Sequence, residues 1–267
     1  MAKTYLITGA SADIGEALAL AYASRRNNVA LAARDESALA RVAEACERAG
    51  GKALVIKTDV TDPAQCERMV ERTIAAFGAL DVLVANAGMS MWARFDEITD
   101  LTVFERLMKV NYLGTVYSAY YALPYLKKSR GLLVGVSSLT GKTGVPTRSA
   151  YGATKHAMQG FLDSLRVELV ATGVDVLVVS PGFVRTDIRA KALGPDGKPR
   201  EESPRAEEND DTMTLEECTA IIVSAIDRRK REVVMTTKAK VGMWLKLAFP
   251  KLVDRIAARA VREKDGS

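Results

Sequence analysis

Short, almost unbroken apolar runs recur along the first 190 residues, and each is followed by a longer stretch with apolar residues every three or four positions. The runs at 5–7, 29–31, 53–56, 81–84, 132–136 and 174–179 read as strands, and 14–25 and 36–49 read as helices. Most of the runs are apolar throughout, not alternating, which is the pattern of strands covered on both faces. Strand and helix in strict succession predict a parallel sheet with helices on both sides, a doubly wound α/β domain. A ligand crevice is then expected at the carboxyl ends of the strands. Two longer helices are predicted over 101–127 and 149–172. The second carries Ala153, Ala157, Gly160, Phe161, Ser164 and Leu165, a face suited to packing, including packing by another subunit.

The 267 residues, 48% of them apolar, suit one domain spanning 1–267: a core over 3–190, an acidic loop over 191–213 and a basic tail over 238–263. The net charge of +5 is uneven, because the stretch 228–264 alone carries +9. Between 196 and 217 there are nine acids and three bases, and Pro195, Pro199 and Pro204 fall in the same region. That composition predicts a mobile loop, either an active-site lid or a disordered insertion. In the tail, Met243, Trp244, Leu245, Leu247 and Phe249 alternate with Lys240, Lys246 and Lys251. Such a segment either lies on an anionic membrane surface or packs over the active site or at a subunit contact. Cys46, Cys66 and Cys218 form no CxxC pair, and His156 is the single histidine, so no metal centre is expected. The start, Met1-Ala2-Lys3, has no signal-peptide pattern, and no run reaches the ~20 apolar residues of a spanning helix. A cytoplasmic protein is expected, membrane-peripheral if the tail adheres. No nucleic-acid recognition motif accompanies the basic tail.

The first strand leads into Thr8-Gly9-Ala10-Ser11-Ala12-Asp13-Ile14-Gly15 and then a helix. A glycine-rich strand-to-helix turn lets backbone N–H groups and the helix dipole approach a pyrophosphate. Tyr151 and Lys155 are four apart on a predicted helix and share a face, so an ammonium can favour the phenolate. That would lower the phenol from ~10 toward neutrality and make it a usable acid or base. Ser138 ends a predicted buried strand thirteen residues upstream, at the same edge of the sheet.

The combination resembles the short-chain dehydrogenase/reductase family over residues 3–187. Thr8–Gly15 is similar to its T-G-x-x-x-G-x-G turn, Asn86-Ala87-Gly88 to its N-A-G element, and Asn111 stands at its helix asparagine. Ser138, Tyr151 and Lys155 stand at the remaining catalytic positions, and Pro181-Gly182-Phe183-Val184-Arg185-Thr186 at the segment beside the nicotinamide. The resemblance implies a Rossmann-type fold, a bound nicotinamide dinucleotide, a small carbonyl or alcohol substrate and assembly as a homodimer or homotetramer. It implies that Tyr151 exchanges a proton with the substrate oxygen, which Ser138 holds. Lys155 would lower the pKa of Tyr151 and bind the nicotinamide ribose, and Asn111 would support a water-linked relay to Lys155. The implied cofactor-binding set is Gly9, Ser11, Asp13, Ile14, Gly15, Arg34, Asp59, Val60, Asn86, Ala87, Gly88, Tyr151, Lys155, Pro181, Gly182, Val184 and Thr186. The tail resembles the C-terminal region of 11β-hydroxysteroid dehydrogenase-like members.

Asp13 departs from the pattern, standing where the family has its middle glycine. An acid there repels a pyrophosphate unless it caps the helix, and aspartate tolerates positive φ. Cofactor choice rests on Ala32-Ala33-Arg34-Asp35. No acid stands at position 33 to accept from an NAD ribose, whereas Arg34 suits a 2′-phosphate, so NADP(H) is expected, with NAD(H) the alternative kept open by Asp35. Asp59 and Val60 either contact adenine or form a strand-end turn. Met89, Met91 and Trp92 either wall an apolar pocket or fill the core. The expected activity is interconversion of a hydrophobic carbonyl compound and its alcohol. The alternative is a non-catalytic dinucleotide-binding or membrane-peripheral protein on the same fold.

Overall fold

The computed structural model describes residues 2–186, 191–199 and 212–265. Seven strands form one sheet: β1 (Thr4–Thr8), β2 (Asn28–Ala33), β3 (Lys52–Lys57), β4 (Val82–Ala85), β5 (Leu132–Val136), β6 (Asp175–Ser180) and β7 (Glu232–Val234). Their spatial order is β3-β2-β1-β4-β5-β6-β7, and every pairing is parallel. The strand order reverses between β1 and β4, and the crevice at their carboxyl ends is the topological switch point. The doubly wound expectation holds, with β7 the strand that the apolar pattern did not reveal.

One face of the sheet is covered by α1 (Asp13–Ala23), α2 (Glu36–Arg48) and α7 (Leu215–Asp227), through Leu18, Tyr22, Leu39, Val42 and Ile222. The other is covered by α3 (Pro63–Phe77), α5 (Gly114–Ser129) and α6 (Ser149–Glu168), through Met69, Val70, Leu126, Met158 and Leu162. Asp35 caps α2 by accepting from Ala38 N–H at 3.0 Å, Asp62 caps α3, and Thr214 caps α7 in a reciprocal pair with Glu217. Gly135 sits in the middle of β5, and any side chain there would fall on Leu162 of α6. The missing side chain lets α6 ride close over the sheet, which carries the start of that helix to the strand ends.

The predicted helix over 101–127 is three pieces: α4 (Thr102–Leu107), a π turn (Met108–Leu113) and α5. The tail is also two helices, α8 (Thr237–Ala248) and α9 (Pro250–Asp265), divided where proline can only begin a helix. Within the expected loop over 191–213, the described residues 191–199 meet the loop after β4. Leu193 N–H donates to Ser90 O at 2.9 Å, Trp92 N–H donates to Leu193 O at 2.8 Å, and Thr99 N–H donates to Pro195 O at 3.0 Å. Leu193 is buried beside Met91 and Tyr151, so apolar burial holds 191–199 against the loop after β4. Most of the acidic run, 200–211, lies outside the described residues.

Candidate active site

The turn after β1 and the loop after β4 are built as one unit. Thr8 Oγ1 accepts from the N–H groups of Asn86 and Ala87, each at 3.0 Å, and donates to Val84 O at 3.3 Å. The Asn86 amide returns the contact, donating to Thr8 O at 3.0 Å and Gly9 O at 3.3 Å. Gly9 has φ 65°, and a side chain on it would meet Ala87 Cα at 2.9 Å; one on Gly15 would fall on the Gly9 carbonyl. Only glycine fits at either position.

The helix that this turn opens is left uncapped. Ala12 occupies the N-cap of α1 and offers no side-chain acceptor, whereas α2, α3 and α7 each have one. Asp13 is the first residue of α1 and holds φ 51°, the left-handed region that aspartate tolerates. Ser11 lies in the same turn, its carbonyl accepting from Arg41 at 3.3 Å, and Ile14 packs inward on the core. An open helix N-terminus at the switch point suits the donor needs of a pyrophosphate, so the turn fits a dinucleotide.

Arg34 is exposed just beyond the end of β2. Beside it, Asp35 is spent on its helix cap and on Ser37 Oγ at 2.7 Å, and these hydrogen bonds hold its carboxyl below the ordinary range. Asp59, past β3, accepts from Thr61 N–H at 2.9 Å and Thr61 Oγ1 at 2.8 Å, a strand-end turn, while Val60 packs against Gly114. Pro181, Gly182, Val184 and Thr186 follow β6 at the same edge of the sheet; Leu139 N–H donates to Pro181 O at 3.0 Å, and Val184 bridges to Met213.

Ser138, Tyr151 and Lys155 converge where β5 meets α6. Ser138 stands against the Tyr151 phenol and favours its ionised form, and Ser138 Oγ accepts from Thr140 N–H at 3.2 Å. Ser137 is turned the other way, toward Lys155 O at 3.4 Å, so Ser138 alone of the pair faces the phenol. Lys155 Nζ donates to Val136 O at 2.9 Å, and burial pulls its ammonium down to about 8. Burial pushes the Tyr151 phenol above its ordinary value, opposed by Ser138 and the Arg148 charge. Lys155 Nζ is 5.7 Å from the phenol ring centroid, aimed at a strand carbonyl and itself disfavoured as a cation by burial.

Asn111 is fully buried in the π turn. Its Oδ1 accepts from Met89 N–H at 2.8 Å, and its Nδ2 donates to Met89 O at 3.0 Å and Thr154 Oγ1 at 3.0 Å. Its amide therefore ties the loop after Gly88 to α6, next to Lys155. Met91 is core, buried beside Tyr151, and Trp92 is covered by the Arg148 guanidinium at 4.5 Å. His156 stands outside the cluster, its Nδ1 2.9 Å from Gly152 O. Residue spacing did not mark out Thr8, Thr154 or Arg148; all three are buried polar groups, and burial is what distinguishes them. Among the described residues, no group of acids, cysteines or histidine is arranged to hold a metal ion.

Comparison with known proteins agrees with this geometry. The family described as short chain dehydrogenase matches residues 3–195. An Arabidopsis thaliana 11-beta-hydroxysteroid dehydrogenase-like 4A is 35% identical over 257 residues, covering 94% of this chain and 82% of that protein. An alcohol dehydrogenase from the archaeon Thermococcus sibiricus, solved in complex with 5-hydroxy-NADP, superposes with TM-score 0.75 at 25% identity, covering 88% of this chain and 96% of that one. A short-chain alcohol dehydrogenase structure from Sinorhizobium meliloti superposes with TM-score 0.66 at 30% identity, covering 70% of this chain and 74% of that one.

Thr8→Val keeps the shape of the side chain but strips two N–H groups of their acceptor, a loss of about 1–3 kcal/mol. Thermal melting should fall by several degrees, while Thr8→Ser, which keeps the hydroxyl, should melt near wild type. Equal melting of the two variants would show that the hydroxyl does not hold the β1 and β4 ends together.

Proposed function

The chain belongs to the short-chain dehydrogenases, and from that membership we propose that it transfers hydride between NADP(H) and a hydrophobic carbonyl–alcohol pair, with reduction the cellular direction. The observation that carries this reading is the convergence of Ser138, Tyr151 and Lys155 at the carboxyl edge of the sheet, with Lys155 one turn beyond Tyr151 on α6. NADPH, when bound, supplies the hydride, and the protein supplies orientation and proton transfer. Ser138 and Tyr151 would hold the substrate oxygen from two sides, and Tyr151 would pass its proton to that oxygen as it gains charge. Lys155, buried one turn beyond, would bind the nicotinamide ribose. Asn111 would hold the loop after Gly88 against α6 and support a water-linked relay. The preference for NADP(H) is supported by exposed Arg34, by the commitment of Asp35 to its helix cap, and by the 5-hydroxy-NADP bound in the Thermococcus sibiricus protein. The hydrophobic substrate is supported by Met91, Val103, Leu107 and Leu193, which surround Tyr151 with apolar side chains.

We further propose a cytoplasmic homodimer or homotetramer in which the tail is a packing surface. Asp254 and Ala258 of α9 line a crevice of about 690 Å³ with Pro146, Gly152 and His156, so α9 lies beside the start of α6. On the tail, Trp244, Leu247 and Phe249 remain more than 60% exposed, an apolar surface that a subunit or a lipid headgroup layer would cover. Among the described residues, no helix is long and apolar enough to cross a membrane.

Tyr151→Phe removes one hydroxyl while keeping the ring. Turnover on a panel of apolar carbonyl compounds should fall by ~10²–10⁴, with NADPH titration unchanged. Near wild-type turnover would sink the proton-donor role, and a wild type inactive on the whole panel would favour the non-catalytic binder.

Arg34→Ala should weaken NADPH by about one to two decades and NADH little, since a charge-assisted contact contributes roughly 1.5–3 kcal/mol and only NADPH carries the 2′-phosphate. Equal weakening of both would remove Arg34 as the discriminating group.

Truncation after Val234 separates the roles of the tail. Subunit packing predicts a concentration-dependent mass that falls on truncation without lipid. Pelleting with anionic vesicles that salt abolishes, in the full-length chain only, would assign the surface to a membrane.

A further inference from the structure

The apolar cluster around Tyr151 is drawn from separate segments: Met91 after β4, Val103 and Leu107 of α4, and Leu193. Of these, Leu193 belongs to a stretch outside any helix or strand, yet it and Ala192 are buried. Backbone pairing supplies part of the hold. Leu193 bridges to Met91, its N–H donating to Ser90 O at 2.9 Å and its carbonyl accepting from Trp92 N–H at 2.8 Å. Residues 194–198 then close a tight turn, in which Gly194 N–H donates to Lys198 O at 2.8 Å and Gly197 N–H to Gly194 O at 3.1 Å. Pro195 O, within the turn, accepts from the N–H groups of Thr99 and Asp100 at 3.0 and 3.2 Å. The other side of the turn is gripped by Arg106 of α4, whose Nη2 donates to Gly197 O and whose guanidinium lies 3.7 Å from Asp100. The fit is close. Gly197 is buried at φ 73°, and a side chain on it would fall on Arg106 and Asp100. Helix α4 thus packs Val103 and Leu107 into the cluster of Tyr151 and, through Arg106 between them, holds the turn beyond Leu193.

We propose that Arg106 is a specificity-determining positioning residue: by holding the Gly197 carbonyl it seats Leu193 in the wall around Tyr151, and so limits the shape of the apolar group that the site accepts. This rests on the reading of Tyr151 as the group that meets the substrate oxygen. The hydrogen bond, more than the ion pair, does the holding. Arg106 and Asp100 are both partly exposed, so water screens their attraction, whereas a guanidinium N–H on the carbonyl of a buried glycine is a charge-assisted bond. The turn has little apolar surface of its own to keep it in place, since Asp196 and Lys198 flank Gly197 and both are exposed. Without Arg106 the turn is left with its own internal bonds and the Pro195 contact, and the pairing at Leu193 loses its nearest side-chain anchor on α4.

The test reads the segment and the substrate separately, in the full chain. Arg106→Met keeps most of the side-chain length and has no donor. Amide exchange of the peptide 191–199, followed by mass spectrometry without ligand, should quicken about tenfold, the scale of one lost charge-assisted bond. Gly197→Ala leaves Arg106 in place but spoils the fit from the other side, and should quicken the same peptide. Arg106→Lys retains a cationic donor and should recover most of the protection. Exchange across α6 should stay as in wild type; a rise there too would make Arg106 a general stability residue and overturn the proposal. Turnover on apolar ketones of graded bulk then reads the wall. Compact ketones, which depend on contact with Leu193, should show KM raised about tenfold in Arg106→Met with kcat within about twofold, and bulky ones little change, so that selectivity narrows. Unmoved exchange in a folded Arg106→Met overturns the proposal, and so does faster exchange with wild-type selectivity. A wild type inactive on every ketone, in which both variants still free the 191–199 peptide alone, supports the seating of Leu193 by Arg106 while overturning the oxidoreductase reading.

Discussion

The whole site depends on how closely the ends of β1 and β4 can approach. One hydroxyl, Thr8 Oγ1, accepts the two N–H groups that open the loop after β4 and donates to the strand it leaves. Because the two loops then share space, neither Gly9 nor Gly15 can bear a side chain. The close approach leaves the N-terminus of α1 at the switch point with no cap of its own. A polar helix end without a protein partner costs free energy unless water or a ligand satisfies it. The geometry that makes the fold tight is therefore also what makes the crevice a place for an anion.

The catalytic cluster is built on the opposite compromise, which is to bury charge. Moving ionisable groups out of water is costly, and several buried polar groups here are tied to a strand or a loop. Lys155 holds Val136 O, Ser137 holds Lys155 O, and Asn111 holds both polar atoms of the Met89 peptide and the Thr154 hydroxyl. The π turn around Asn111 belongs to the same arrangement. An extra residue in a helical turn is rare and found mostly at functional sites, and here it aims the amide at Met89. These anchors fix Lys155, Ser137 and Asn111 around the buried Tyr151.

Much of this was legible in the chain because the fold is written in strong local patterns. Six of the seven strands are apolar runs, and β7 was missed because three half-buried residues after a basic stretch carry no such signal. The spacings of Ser138, Tyr151 and Lys155 were sufficient to bring them together, since strand β5 and helix α6 have fixed rises. The break at Met108–Leu113 was hidden, because a π turn keeps nearly the apolar rhythm of the helix that it interrupts. Composition could not show the contacts of 191–199, where Ala192 and Leu193 are buried and Arg106 donates to Gly197 O. Roles that depend on burial, such as those of Thr8 and Arg148, are tertiary facts, and residue identity at one position cannot carry them.

The parts of the site also separate along the sheet in a way that matters for how it can change. Arg34 and Asp35 stand at the end of β2, whereas Ser138, Tyr151 and Lys155 stand on β5 and α6, with β1 and β4 between them. A side chain at the end of β2 meets none of the hydrogen bonds around Tyr151, so Arg34 can be altered without disturbing that cluster. The apolar wall is a third, separate unit. Met91 and Leu193 come from loops, which tolerate substitution better than the strands that carry the chemistry. Hence the polar cluster is tied to the rigid sheet edge, while the 89–107 and 191–199 segments pack over it.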